Sequence, residues 1–311
     1  MKIVSLLPSA TEIVCLLGLG DQLVGVTHEC DWPPSVRELP KVTRTLIPLD
    51  STSAAIDALV RERMATGQAL YTLDMPVLQR LAPDLIVTQA LCEVCAVAEA
   101  EVRSAACSLP GTPQVLNLEP QRIGEVLRSI EQVARAAGVY ERGRGVVEGL
   151  QARIDAIVER TRSVERRPRV MLLEWIDPPF SCGHWTPELV DMAGGVEGIG
   201  RVGLPSQTTA WERIVEWGPE IMLIACCGYD LERTLTDVPI LRRQPGWHDL
   251  PCVRDDRVYA VNGSSYFSRP GPRLVDSLEI LAHTLHPDVH PLPAGLPAAH
   301  RVVVMTPLDL V

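Results

Sequence analysis

The sequence predicts an α/β protein of two lobes, each with a mainly parallel sheet flanked by helices, joined by one long helix. Three features predict it. Apolar strands alternate with amphipathic helices, the alternation occurs twice, and a helical stretch of lobe-bridging length separates the two occurrences. Alternation of this kind implies parallel sheets, because a crossover helix is what returns a chain to a parallel neighbour.

The first occurrence begins with Lys2 to Leu7, an apolar run ending at Pro8 that reads as a buried strand. Ser9 or Thr11 is then expected to cap a helix through Ile13, Val14, Leu16 and Leu17, stopped by Gly18 and Gly20. The second occurrence begins with the strand Arg169 to Trp175. It passes through the loop Pro178 to Trp185 and enters a helix from Pro187 to Met192, stopped by Gly194-Gly195. A further pair repeats the parallel: Val77 to Val87 and Ile214 to Ile224 each read as a short helix, a Pro turn with an acid after it, and an apolar strand. Between them, 120–164 is rich in Ala, Glu, Arg, Leu and Val, with Gly138, Gly143 and Gly145 marking a break. Val146, Leu150, Ile154, Ile157 and Val158 follow helical spacing with a charged opposite face. A helix of about 20 residues spans roughly 30 Å, enough to link two lobes; the alternative is an ordinary surface helix of one domain. The expected organisation is an N-terminal lobe at 1–118, a helical segment at 119–166, a C-terminal lobe at 167–289, and a tail at 290–311. That tail either docks as an edge strand or is disordered.

With 311 residues, 46% of them hydrophobic, the chain can bury two modest cores. A net charge of -10 argues against non-specific nucleic-acid binding, which needs a basic face. Pro8, Ser9, Thr11 and Glu12 interrupt the first apolar run too early for a secretory leader, and no run of about 20 apolar residues crosses a bilayer. The expectation is a cytoplasmic protein as the chain stands, or a periplasmic or cell-surface one if a leader has been removed. The nine cysteines, several in apolar runs, suit a reducing compartment rather than a disulfide framework.

No nucleotide loop, GxSxG elbow or HExxH motif is present, and Gly18-Leu19-Gly20 follows a helix where a dinucleotide fingerprint would precede one. His28 and Cys30 share one loop, Cys92 and Cys95 follow the strand Leu85 to Val87, and Cys182 and His184 occupy the matching loop of the second lobe. In a parallel sheet such loops emerge at the ligand-binding edge. Cys92, Cys95, Cys30 and His28 are therefore candidate ligands for zinc or iron, or small residues that pack loops. Aromatic residues make up only 4% of the chain, yet Trp32, Trp175, Phe180, Trp185, Tyr229, Tyr266 and Phe267 fall in predicted loops or at strand ends. Their flat faces suit a planar ligand.

Several segments resemble the class III solute-binding proteins of ABC importers, the cobalamin and iron-siderophore type. They are Ser5 to Glu12, Gly25 to His28, Asp31 to Pro34 and Leu81 to Ile86. Ile176 to Phe180, Gly183 to Trp185, Ala193 to Gly195 and Ser265 to Arg273 are similar to its cobalamin-binding branch, and the loops at His28-Glu29-Cys30 and Cys92-Glu93-Val94-Cys95 to a leaderless cobalamin-binding-like subgroup. The resemblance implies two lobes joined by one long helix, little hinge motion, and a ligand between the lobes. By motif position it implies contacts to a corrin ring from Trp32, Phe180, Trp185 and Tyr266, with Phe267 adjacent. Ser265 stands where the importers usually carry an acid.

The expected function is non-catalytic binding of a corrinoid such as cobalamin. Its site would comprise Trp32, Phe180, His184, Trp185, Tyr266, Phe267, His28 and Glu174. Haem or a ferric siderophore is the alternative ligand. An enzyme using metal or thiol chemistry at the Cys- and His-lined loops is the alternative class. A small metal chelate is the expected partner, with an ABC permease only if the chain is exported.

Overall fold

The computed structural model describes residues 1–48, 51–89 and 99–303. It is two-lobed, with two compact units. One takes Met1–Pro120, Gly124–Gln151 and Pro270–Pro272, the other Gln121–Ile123, Ala152–Arg269 and Arg273–Val311.

In the first unit, β1 (Ile3–Ser5), β2 (Leu23–Gly25), β5 (Leu85–Gln89) and β6 (Gln114–Leu118) form a parallel sheet in the order β2-β1-β5-β6. Ile3 and Val4 are fully buried, as is all of β5, so the strands read as continuous apolar runs. Burying each such side chain contributes about 1.5–3 kcal/mol. Helix α1 (Pro8–Leu16) buries Ile13 and Val14 against this sheet's end of the chain and stops where Gly18 takes a left-handed φ of 69°. Its start differs from the expected cap. Leu7 is the N-cap and makes no side-chain cap bond, while Pro8, whose φ is preset, opens the helix. Thr11 lies inside it and donates to Ser5 Oγ (2.8 Å). A separate antiparallel pair, β3 (Thr43–Thr45) with β4 (Tyr71–Leu73), brackets α2 (Ser53–Ala65). Helix α3 (Met75–Leu81) leads into β5, and α4 (Glu99–Ser108) leads into β6.

Helix α5 (Ile123–Ala136) turns at Gly138, in a left-handed conformation, into the 22-residue α6 (Tyr140–Thr161). Residues of α6 up to Gln151 belong to the first unit and those from Ala152 to the second. The expected break therefore falls at Gly138 alone. Gly143 lies inside α6, where a Cβ would sit 2.3 Å from that of Ala134; it permits close packing of α5 on α6 rather than ending a helix. Leu150, Ile154 and Ile157 form the buried stripe that their spacing predicts.

The second unit centres on β7 (Arg169–Trp175), with β8 (Phe180–Ser181), α7 (Thr186–Met192), β9 (Val196–Glu197), β10 (Gln207–Thr208) and α8 (Trp211–Trp217) following. Then come β11 (Ile221–Ile224), α9 (Leu231–Arg242), α10 (Pro251–Arg254), β12 (Val258–Ala260), α11 (Leu274–Leu285) and β13 (His300–Arg301). The sheet runs β10-β8-β7-β11-β12-β13, with β9 also paired to β7. Strands β7, β11 and β12 are parallel, and β8, β10 and β13 add antiparallel edges. The tail thus supplies a short edge strand, with Val302 buried beyond it.

The internal repeat is exact in its chemistry. In the first unit α3 ends on Ala82 at φ 46°, and Asp84 follows Pro83. The Asp84 amide donates to Lys2 O (2.8 Å) and its carboxylate accepts from Lys2 N (2.7 Å). In the second, α8 ends on Gly218 at φ 58° and Glu220 follows Pro219. The Glu220 amide donates to Arg169 O (2.8 Å) and its carboxylate accepts from Arg169 N (3.0 Å). In each unit the acid ties the helix-to-strand turn to the residue that starts or precedes the neighbouring central strand. The bond from the Arg169 amide, helped by the charges of Arg166 and Arg169, holds the Glu220 carboxyl below its usual range against desolvation. Glu220→Ala is expected to cost about 1.5–3 kcal/mol, the worth of a hydrogen bond to a charged group, read as a lower urea midpoint.

Candidate functional site

The strand ends of each unit carry the candidate side chains. In the first unit the loop after β2 places His28 against the β3–β4 pair. Its Nδ1 lies 2.8 Å from Thr43 Oγ1, and its amide donates to the same oxygen (3.2 Å). Its ring lies 5.6 Å from that of Tyr71, and Nε2 faces Glu29 at 3.9 Å. Burial, then Lys41, lowers its pKa, so the imidazole is neutral near pH 7. Cys30 points elsewhere. It is buried, its Sγ 3.1 Å from both Thr11 Oγ1 and Thr27 Oγ1. Trp32 is half exposed, at 47%. Cys92 and Cys95 lie outside the described residues. Among the described residues no three His, Cys, Asp or Glu converge as a metal-binding group.

In the second unit Glu174, Phe180, His184, Trp185, Tyr266 and Phe267 come from the end of β7, from β8 and the loop after it, and from the loop after β12. His184 takes a left-handed φ of 50°, an uncommon conformation for a side-chain-bearing residue. Its amide donates to Leu204 O (2.6 Å), and its carbonyl accepts from Gly203 N (2.8 Å). Its ring stacks on Trp185 at 5.4 Å and 30°. Burial lowers its pKa, and neither ring nitrogen has a hydrogen-bond partner among the described residues. Trp185 is buried, and its indole N–H donates to the carbonyl of Phe267 (2.9 Å). Phe267 is 2% exposed, so Trp185 and Phe267 are buried rather than an open aromatic face. Tyr266 and Phe180 are half-buried, and the Arg273 guanidinium lies 4.5 Å over the Tyr266 ring.

Both oxygens of Glu174 are engaged. Oε1 accepts from the Gly183 amide (3.3 Å) and Thr186 Oγ1 (3.2 Å), and Oε2 accepts from Ser206 Oγ. Burial raises its pKa, and these hydrogen bonds oppose the rise. Cys182 is buried beside it, its thiol pushed well above its ordinary range by desolvation and then by Glu197 and Glu174. A thiol so held is not a nucleophile at neutral pH.

Sequence reasoning missed Thr43, Tyr71, Ser206 and Glu197, which become neighbours of the candidates only through folding. Glu197 Oε2 accepts from the amides of Ile199 (2.9 Å) and Gly200. Its carboxyl is nonetheless pushed up to about 7, because burial outweighs those bonds and Arg213, and Glu174 adds repulsion. A carboxyl whose folded pKa is raised stabilises the fold fully below its unfolded value of 4.5 and loses that contribution as pH rises through about 7. Glu197→Gln is therefore expected to gain in melting temperature relative to wild type between pH 5 and pH 8.

The family model described as "Periplasmic binding protein" matches residues 3–264. The ABC transporter substrate-binding lipoprotein YvrC of Bacillus subtilis (strain 168) is 24% identical over 292 residues, covering 92% of this chain and 80% of that protein. The vitamin B12-binding protein of Vibrio cholerae (strain M66-2) is 24% identical over 282 residues, covering 89% of this chain and 86% of that one. A periplasmic haem-binding protein from Pseudomonas aeruginosa matches in structure at a TM-score of 0.73 and 16% identity, over 98% of this chain and 99% of that one. At that identity the likeness is one of fold.

Proposed function

The chain belongs to the periplasmic binding protein family, and from that premise we propose that it binds a corrinoid without transforming it. The observation that carries the reading is His184: an imidazole that burial keeps from protonating, stacked on a buried tryptophan, with no hydrogen bond from its ring among the described residues. A metal-centred planar ligand asks for these things, a nitrogen donor that stays unprotonated and aromatic or apolar surface around it. Tyr266 and Phe180 are proposed to contact the macrocycle, and Trp185 is proposed to act through His184. The relatives over most of the sequence include vitamin B12-binding proteins, which favours a corrinoid. Haem is the second reading, favoured by the same imidazole, since iron takes a histidine axial ligand.

No helix of the described residues is long and apolar enough to cross a membrane. An ABC permease is the proposed partner, which requires the chain to work on the outer side of the cytoplasmic membrane. The test of the ligand is a titration with hydroxocobalamin and, separately, hemin. Saturable changes in the visible bands with a rise in melting temperature support the reading; unchanged spectra and melting temperature with both ligands overturn it.

A further inference from the structure

We infer that Glu174 is a positioning residue, whose carboxylate fixes the His184 imidazole in place instead of touching the ligand. The reasoning starts from the backbone of His184. A left-handed conformation is strained for a residue with a Cβ and persists only where its surroundings over-determine it. Here the surroundings are two segments, 183–186 and 203–206. They are joined on one side by the paired bonds between His184 and residues 203 and 204. On the other side they are joined by Glu174, which accepts from Gly183 and Thr186 in the first segment and from Ser206 in the second.

Glu174 thereby ties the residue before His184, the helix start after it, and the segment opposite it into one piece. Gly183 is pressed onto that opposite segment, where a Cβ would lie 2.4 Å from Ser206 N. Among the described residues, the titratable groups coupled to the carboxyl are Glu197 and the Cys182 thiol, and neither is a cation. Without a cation beside it, the carboxylate depends on those three donors, and they depend on it. Its importance to binding rests on the reading of His184 given above, but the positioning itself is a property of the ligand-free protein.

The experiment is proton NMR of the His184 Cε1–H in ligand-free wild type, identified by its loss in His184→Gln. Stacking on Trp185 predicts a ring-current displacement of that signal. In Glu174→Ala the displacement is expected to be largely lost. In Glu174→Gln, which keeps a carbonyl acceptor and can exchange donor and acceptor roles with Ser206, it is expected to be retained. A loss of global stability alone does not move a native-state chemical shift, so a folded Glu174→Ala whose signal keeps the displaced wild-type position would overturn the inference. Should Glu174→Ala fail to fold, Ser206→Ala combined with Thr186→Val removes two of the three donors and leaves the acid. Partial loss of the displacement supports the inference there, and no change overturns it. A chain that bound neither hydroxocobalamin nor hemin would leave this result standing and would sink only the ligand reading.

Discussion

His184→Ala is expected to abolish the imidazole-dependent shift of the visible bands on titration with hydroxocobalamin or hemin. It should weaken binding by at least the ~10–100-fold that loss of a supporting group costs a metal site. The expectation follows from protonation and geometry together. An imidazole ligates only through a neutral nitrogen, and burial keeps that of His184 below its ordinary pKa, so it stays available as the medium turns mildly acidic. Binding by wild type is accordingly expected to persist below pH 6.5, where an exposed histidine would already be half protonated. His28→Ala serves as the companion variant, because His28 is neutral for the same reason and tethered through Thr43. If His184→Ala gives the wild-type spectrum and affinity at every pH, His184 has no part in ligation.

Gly183→Ala is expected to destabilise the protein by about 3 kcal/mol, the upper end of the cost of overpacking, and to weaken ligand binding in parallel. The added Cβ would meet Ser206 N at 2.4 Å, Leu204 O at 2.6 Å and Pro205 C at 2.7 Å. All three are backbone atoms, so no side chain can swing aside. Relief requires separating segment 183–186 from segment 203–206, which breaks the bonds that hold His184 in its left-handed conformation. Urea unfolding measures the first effect and the hemin titration the second. A variant with unchanged midpoint and affinity would show that the two segments separate at no cost. Gly228, with nothing within 4 Å of its missing Cβ, makes the contrasting site, where Ala is strained only by its φ of 74°.

Some of the site was legible before any coordinates. The turn residues Gly18, Pro83, Gly194 and Pro219 carry their conformational meaning in their own covalent structure, so the helix ends and strand starts around them follow from local rules. The apolar runs at Ile3, Leu85, Val170 and Ile221 mark buried parallel strands because both faces of such a strand are covered. Loop aromatics and histidines at those strand ends were equally visible, since parallel topology sends those loops to one edge.

Other features had no local signature. Gly143 has the composition of a helix breaker and is a packing contact, because Ala134, nine residues earlier, lies against it. Phe267 and Trp185 have the composition of an open aromatic face, yet both are almost completely buried, with the Trp185 indole N–H donating to the Phe267 carbonyl. Glu174 reads as an acid near a ligand, and Ser206, 32 residues away, shows what its carboxylate holds. The sequence by itself determined the long apolar strands at Ile3, Leu85, Val170 and Ile221, the repeated turn and the long helix, because propensity and periodicity act over a few residues. The tertiary structure alone decided which of the strand-end side chains are neutral, which are buried and which support others. Desolvation and hydrogen-bond partnership are set by residues far apart in the chain.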